Sequence, residues 1–127
     1  MTKLYKMTSH PLSEQQNKDA TQNLGVKEFL TLPDSLQKEF SQVPPNGNLD
    51  ETFLLDLQTE LQQLSKGDYV LVQGEFGVTY HVVSFCLENG LNPVYATTKR
   101  DSTEVVQPDG STKKIMTFNH VQFRAYK

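Results

Sequence analysis

The stretch Asp68–Gly77, DYVLVQGEFG, limits what this chain can fold into more than any other part of it. Tyr69, Val70, Leu71 and Val72 form a short continuous apolar run. A run that short, rich in β-branched and aromatic residues, reads as a strand buried on both faces. Polar Gln73 ends it, Gly74-Glu75-Phe76-Gly77 follows, and a helical pattern starts at Val78-Thr79-Tyr80-His81-Val82-Val83. Strand, glycine-bearing turn and helix, in that order, set unpaired first-turn N–H groups beside the carboxyl end of a parallel strand. The helix dipole is positive there, so the place attracts anions. In open α/β sheets the ligand crevice lies outside the carboxyl ends of the strands. The working site is therefore expected here. The same residues also fit a plain tight connection, with Gly74 and Gly77 supplying only backbone freedom and close packing. No Lys-Ser/Thr follows, so this is not a Walker loop, and the third glycine of the dinucleotide fingerprint is missing.

On either side of this stretch the pattern alternates between strand and helix. Lys3–Met7 reads as a first strand, ended by Thr8-Ser9-His10-Pro11. Ser13 opens a helix with Gln16 as its capping-box partner, and the helix runs to Leu24 before Gly25. Its residues are so polar that it belongs on the outside. Glu28–Leu32 reads as a second strand, closed by Pro33. Asp34 caps a short helix to Gln42 with Leu36 and Phe40 inward, and Val43-Pro44-Pro45-Asn46-Gly47 is a linker. Leu49–Lys66 is the clearest helix, with Leu54, Leu57, Leu61 and Leu64 on one stripe. The stripe serves core packing or a subunit contact, and core is favoured. After the central strand comes a helix over Val78–Leu87, then a fourth strand over Pro93–Thr97 and a loop at Thr98-Lys99-Arg100-Asp101. Thr103–Gln107 and Ser111–Tyr126 form a hairpin about the turn Pro108-Asp109-Gly110. This order gives one α/β domain over residues 1–127. Its sheet is mostly parallel, with helices on both faces and a C-terminal antiparallel β-hairpin.

Composition narrows the function. A net charge of −3 argues against a general binder of long nucleic acid, but not against a small anion in a local pocket. No apolar run approaches the roughly 20 residues of a membrane span, and the first residues lack a signal-peptide core. Cys86 is the single cysteine and lies in a helical pattern, which fits a buried apolar role in a reducing cytoplasm. Three scattered histidines and one cysteine give no metal-ligand spacing, so neither metal nor cofactor is expected.

Parallel strands would bring three segments to one edge: Ser9-His10, Gln73–Gly77 and Thr97–Arg100. Thr97 and Thr98 can donate to phosphate oxygens, Arg100 can grip a phosphate with its planar fork, and Lys99 adds a point charge. Phe76 can stack on a base. The group suits a small phosphate or nucleotide ligand. Lys99-Arg100 as a solvated loop pair and His10 as an exposed turn residue are the plain readings. Period-two alternation puts Phe118, His120, Gln122, Arg124 and Tyr126 on one side of the hairpin. His120 and Arg124 then share either a second polar cluster or an exposed edge face.

The runs GDYVLVQGEFGVTYHVVSF, NPVYATTKR and PDGSTKKIMTFNHVQFRAY, with SHPLSEQQ…LGVKEFLTLP and the VPP linker, cover nearly the whole chain. Together they resemble the small accessory proteins of type III CRISPR systems called the Csx series, the Csx twenty group in particular. That resemblance implies a Rossmann-like fold similar to CARF nucleotide-sensing domains, paired as a homodimer. It implies a cyclic oligoadenylate ligand, cyclic tetra-adenylate first, and a ring nuclease that cleaves this messenger without metal. In that reading the ribose 2′-hydroxyl attacks the adjacent phosphate and leaves a 2′,3′-cyclic phosphate. Arg100 and Lys99 would stabilise charge. Ser9, Gln73, Gly74, Phe76, Gly77, Thr79, Thr97 and Thr98 would hold the ring. Glu75 or His10 would handle protons, or Glu75 would orient Arg100. A non-catalytic protein that sequesters the messenger shares the binding residues, and a protein-interaction module of a CRISPR complex is the third reading.

Overall fold

The structure, a computed structural model of residues 1–127, has the element order β1 (Thr2–Thr8), α1 (Glu14–Asn23), β2 (Val26–Thr31), α2 (Asp34–Ser41), α3 (Glu51–Leu61), β3 (Tyr69–Gln73), α4 (Phe76–Glu88), β4 (Asn92–Val106), β5 (Thr112–Ala125). One sheet takes all five strands in the order β2-β1-β3-β4-β5. β1 pairs parallel with β2 and β3, β3 pairs parallel with β4, and β5 returns antiparallel along β4. The sheet is thus mostly parallel, with a C-terminal antiparallel pair.

Each central strand is buried on both faces, as its unbroken apolar run requires. Tyr5, Met7, Val70 and Val72 face one way, against Phe40 of α2, Phe53, Leu57 and Leu61 of α3, and Val78, Val82 and Cys86 of α4. Leu4 and Leu71 face the other way, with Val26 and Val94, against Ala20 of α1. Helices therefore cover both faces, and polar α1 buries only Ala20. The Asp68 carboxylate fixes the entry to β3, accepting from Lys3 N at 3.0 Å and Ser65 N at 2.8 Å. The Tyr5 hydroxyl crosses the core and donates to Glu60 Oε1 at 2.7 Å. Burial first, and the Glu60 carboxylate second, push that phenol well above its ordinary range.

The Ser13–Gln16 capping box is present in both directions, and Gly25 takes φ 71° just after α1. β2 lies earlier than expected, at Val26–Thr31, because Val26 already packs under α1. Asp34 does not cap α2. Pro33 occupies the cap position and no side chain bonds there, so Asp34 is the first helical residue. α3 starts at Glu51 behind the Asp50 cap and ends at Leu61, well short of Lys66. Leu57 and Leu61 are fully buried, Leu54 and Leu64 partly so, and Phe53 joins them, which makes the stripe core.

The largest departure is at the C-terminal end. The fourth strand does not stop at Thr97. β4 is 15 residues long and β5 14, against 5 to 7 for β1, β2 and β3. β3 pairs with β4 only as far as Val94, so the two long strands leave the body as a ribbon. The expected loop at Thr98–Asp101 lies inside it, paired with His120, Asn119, Phe118 and Thr117. Thr, Lys, Arg and Asp look like loop residues in sequence, but a ribbon open to solvent on both faces accepts them as readily as apolar ones. At its base Thr97 faces Gln122 while Thr98 faces His120, leaving Val121 as an extra residue in β5.

Candidate functional site

The carboxyl ends of β1 and β3 lie side by side, and β4 passes them at Ala96 on its way into the ribbon instead of ending there. Thr8 is in register with Gln73, and Gln73 Oε1 accepts from Ala96 N at 3.0 Å. Ser9 and His10 are exposed just beyond β1. The His10 N–H donates to Thr8 Oγ1, and the Lys6 ammonium donates to the His10 carbonyl. Gln73 to Gly77 follow β3, and Thr97 to Arg100 rise from β4 on the ribbon.

The N-terminus of α4 is already capped by the chain's own groups. Glu75 is the cap residue, and its Oε1 accepts from Val78 N at 2.8 Å. The Gly74 N–H donates to Thr79 Oγ1 at 3.1 Å. The anion-attracting position expected at this turn thus holds a carboxylate. Glu75 is tied to the helix end rather than to Arg100. The glycines serve packing, since neither has a positive φ. A Cβ on Gly74 would lie 2.7 Å from Phe40 Cζ, and one on Gly77 2.9 Å from Leu49 Cδ1. α2 also closes over the end of β1, where Gln37 Nε2 donates to the Thr8 carbonyl at 3.1 Å. Sequence patterning held no sign of this cover, because no period-based signal links Phe40 or Gln37 to a strand end 30 residues away.

What stays open at this edge is set by the ribbon. Residues 95, 97 and 99 face the α4 side, as the Tyr95–Tyr126 contact and the Tyr126 hydroxyl on the Val72 carbonyl show. Residues 98 and 100 face the α1 side, where His120 opposite Thr98 meets Asp19 of α1. Lys99 and Arg100 therefore cannot act together on one phosphate, as a loop would have let them. The Thr97 hydroxyl is taken up by both backbone groups of Gln122. Arg100 lies over the Phe118 ring at 5.3 Å on the α1 side. On the α4 side Arg124 lies over Tyr95 at 5.9 Å and reaches its hydroxyl, on the same face as Lys99. The chain's ion pairs are Lys3–Glu28 and His120–Asp19, so Lys99, Arg100 and Arg124 have no carboxylate partner. Phe76, at the start of α4, is 93% exposed.

The bulge at Val121 also separates His120 from Arg124, which unbroken alternation had placed on one face. His120 is turned under the ribbon, its side chain 4% exposed, with Nε2 2.7 Å from Asp19 Oδ2. Gln15 Oε1 accepts from the His120 N–H. Burial opposes charge on Asp19, but hydrogen bonds from Asn23, His120 and Phe123 outweigh it and hold the carboxyl below its usual range. Cys86 is fully buried in the core, and burial pushes its thiol up to about 12.

Residues 2–124, from β1 almost to the end of β5, match the family described as uncharacterized protein MJ1673. The chain belongs to the MJ1673 family. Protein MJ1673 of Methanocaldococcus jannaschii is 39% identical over 127 residues, covering 99% of this chain and 98% of that one. No solved structure matches the chain. The MJ1673 match takes in the ribbon as well as the body. No helix is long and apolar enough to cross a membrane. No group of three or more His, Cys, Asp and Glu side chains is placed to hold a metal. A cavity of about 330 Å³ opens between α2 and α3, floored by Val43, Leu49 and Phe53. It holds none of the candidate residues, and it shares Leu49 with the packing under Gly77.

Proposed function

We propose that the chain is a CARF-like, Rossmann-like protein of type III CRISPR defence that binds a cyclic oligoadenylate, cyclic tetra-adenylate first, as a homodimer and cleaves it. The observation that carries this is the open half of the carboxyl edge on the α4 side. There Arg124 beside Tyr95 at the ribbon base and Lys99 further out on the same face stand without acidic partners, past the ends of β1 and β3. Phosphates meet Lys99 and Arg124, and an adenine stacks on exposed Phe76. Gln73 Nε2 and the Thr79 hydroxyl proton donate to the ring. Cleavage in this reading is attack by a ribose 2′-oxygen on the adjacent phosphorus. The 2′-proton passes to a base, and the 5′-oxygen of the next nucleotide leaves with a proton. The products are a 2′,3′-cyclic phosphate and a free 5′-hydroxyl. In-line placement and cations on the phosphate oxygens carry such a step.

The commitment of Glu75 to the α4 cap favours a second reading, in which the ring is bound and sequestered but not cut. His10 is then the remaining titratable group from the expected proton carriers. One experiment separates the readings: purified protein with cyclic tetra-adenylate in EDTA, with bound ligand and products both measured. A linear product ending in a 2′,3′-cyclic phosphate supports the nuclease. Binding without product supports sequestration. Absence of both removes the ligand assignment. Lys99→Ala and Arg124→Ala should each weaken binding, by about tenfold for one charge-assisted contact.

A further inference from the structure

Beyond Thr98 and His120, which α1 reaches through Asp19 and Gln15, the ribbon has nothing beside it. Residues 102–106 and 111–118 are all exposed, including Val106, Met116 and Phe118 at 72%, 44% and 61%. A two-stranded ribbon alone is marginal in water, and a third strand or a packed face is what makes one stable. Its two free edges differ. The β5 edge over 112–118 carries Lys113 and Lys114 and no acid. The β4 edge carries both signs in a symmetric order: Arg100, then Ser102, then Glu104. The Ala96 N–H points toward β3, where Gln73 Oε1 accepts it. By strand alternation the N–H and C=O groups of 98, 100, 102, 104 and 106 point the same way, to an edge with no partner.

We propose that this β4 edge is where two copies of the chain meet. The two β4 strands pair antiparallel about a two-fold axis at Ser102. In that register Ser102 faces its own copy, Arg100 faces Glu104 twice over, and Thr98 faces Val106. The same residues carry the free backbone groups, so hydrogen bonding and charge select one register. On the other strand face Lys99 meets Val105 and Asp101 meets Thr103, so no like charges are opposed. The contact is isologous and closes at two copies. It makes a four-stranded sheet in which the apolar side chains of both ribbons adjoin. The dimer itself belongs to the proposed function. What is added is its interface, and the test uses protein without ligand, so a failed cleavage assay and a failed assembly assay are told apart.

The test is sedimentation of the unliganded chain at tens of micromolar in low salt. The wild type should run at twice 14.4 kDa. Arg100→Glu and Glu104→Arg should each weaken the dimer roughly tenfold or more, because two symmetry-related pairs become repulsive at once. The double exchange, Arg100→Glu with Glu104→Arg, should restore it. Ser102→Pro removes an edge N–H that the hairpin does not use, and should give a folded monomer by circular dichroism. A wild-type monomer, single reversals without effect, a double exchange that stays monomeric, or a dimeric Ser102→Pro would each overturn the interface.

Discussion

A methyl group on Gly74 meets the Phe40 ring, which is 2% exposed and locked in the core, whereas one on Gly77 meets the end of the Leu49 side chain and, at 3.2 Å, the capping Glu75 Oε1. The two glycines should therefore respond differently. Gly74→Ala overpacks and should cost about 1–3 kcal/mol. Gly77→Ala should cost less than Gly74→Ala, since Leu49 can turn aside, the Glu75 carboxylate need give only slightly, and a helical Gly→Ala change returns about 0.5–1 kcal/mol. Urea unfolding of both variants measures the difference, and equal costs would show that the Phe40 contact is not what fixes Gly74. Cys86 gives a second residue-scale test. With its thiol pushed up to about 12 and no exposed surface, it should react very slowly with a thiol reagent at pH 8. It should react at once in denaturant. Fast native labelling would mean that the core under α4 opens.

At the scale of elements, α4 is held by a carboxylate at its own start, and this has two consequences of opposite sign. Glu75→Ala removes the cap and should cost about 0.5–2 kcal/mol, read by thermal unfolding. It also frees the Val78 N–H and removes a negative charge beside the proposed phosphate site. Affinity for cyclic tetra-adenylate should therefore rise while stability falls. A fall in both would place the ligand away from α4. The base of the ribbon answers to pH through Asp19. Its carboxyl lies lower in the fold than its ordinary value of 3.8. The stabilisation is therefore complete above about pH 4 and is lost as pH drops through the folded value. Asp19→Asn should flatten that acid dependence relative to wild type. Sequence reading caught what short-range chemistry writes down: the Ser13–Gln16 box, the buried strand at Tyr69–Val72 and the Asp109-Gly110 turn. It missed what depends on distant partners. Nothing local shows that Thr98–Asp101 continues a strand, because their partners lie some twenty residues on. A one-residue bulge at Val121 leaves no trace in composition yet reverses which face His120 takes. The self-capping by Glu75 was within reach, since a carboxylate three residues before Val78 is a known cap arrangement.

For the molecule as a whole, the body and the outer ribbon should separate cleanly. Replacing residues 101–117 with a two-residue Asn-Gly turn removes only exposed positions together with half-buried Gln107 at the hairpin end and Asp101, half-buried beside Asn119. The shortened chain should keep its unfolding midpoint within a few degrees and remain monomeric at all concentrations. A large loss of stability would show that the ribbon supports the body. The strand order β2-β1-β3-β4-β5 reaches further, into synthesis. β1 lies inside the sheet, flanked by β2 and β3, although it leaves the ribosome first. Its β2 side can be satisfied early, but its β3 side waits for roughly forty more residues after β2 ends. At roughly 5–20 residues per second the wait is on the order of 2–8 s. Through that interval the nascent chain holds an apolar strand with one unpaired edge, open to any neighbouring strand. Until Asp68 emerges its carboxylate cannot take the Lys3 amide, the bond that ties the start of β1 to the start of β3 in the finished sheet.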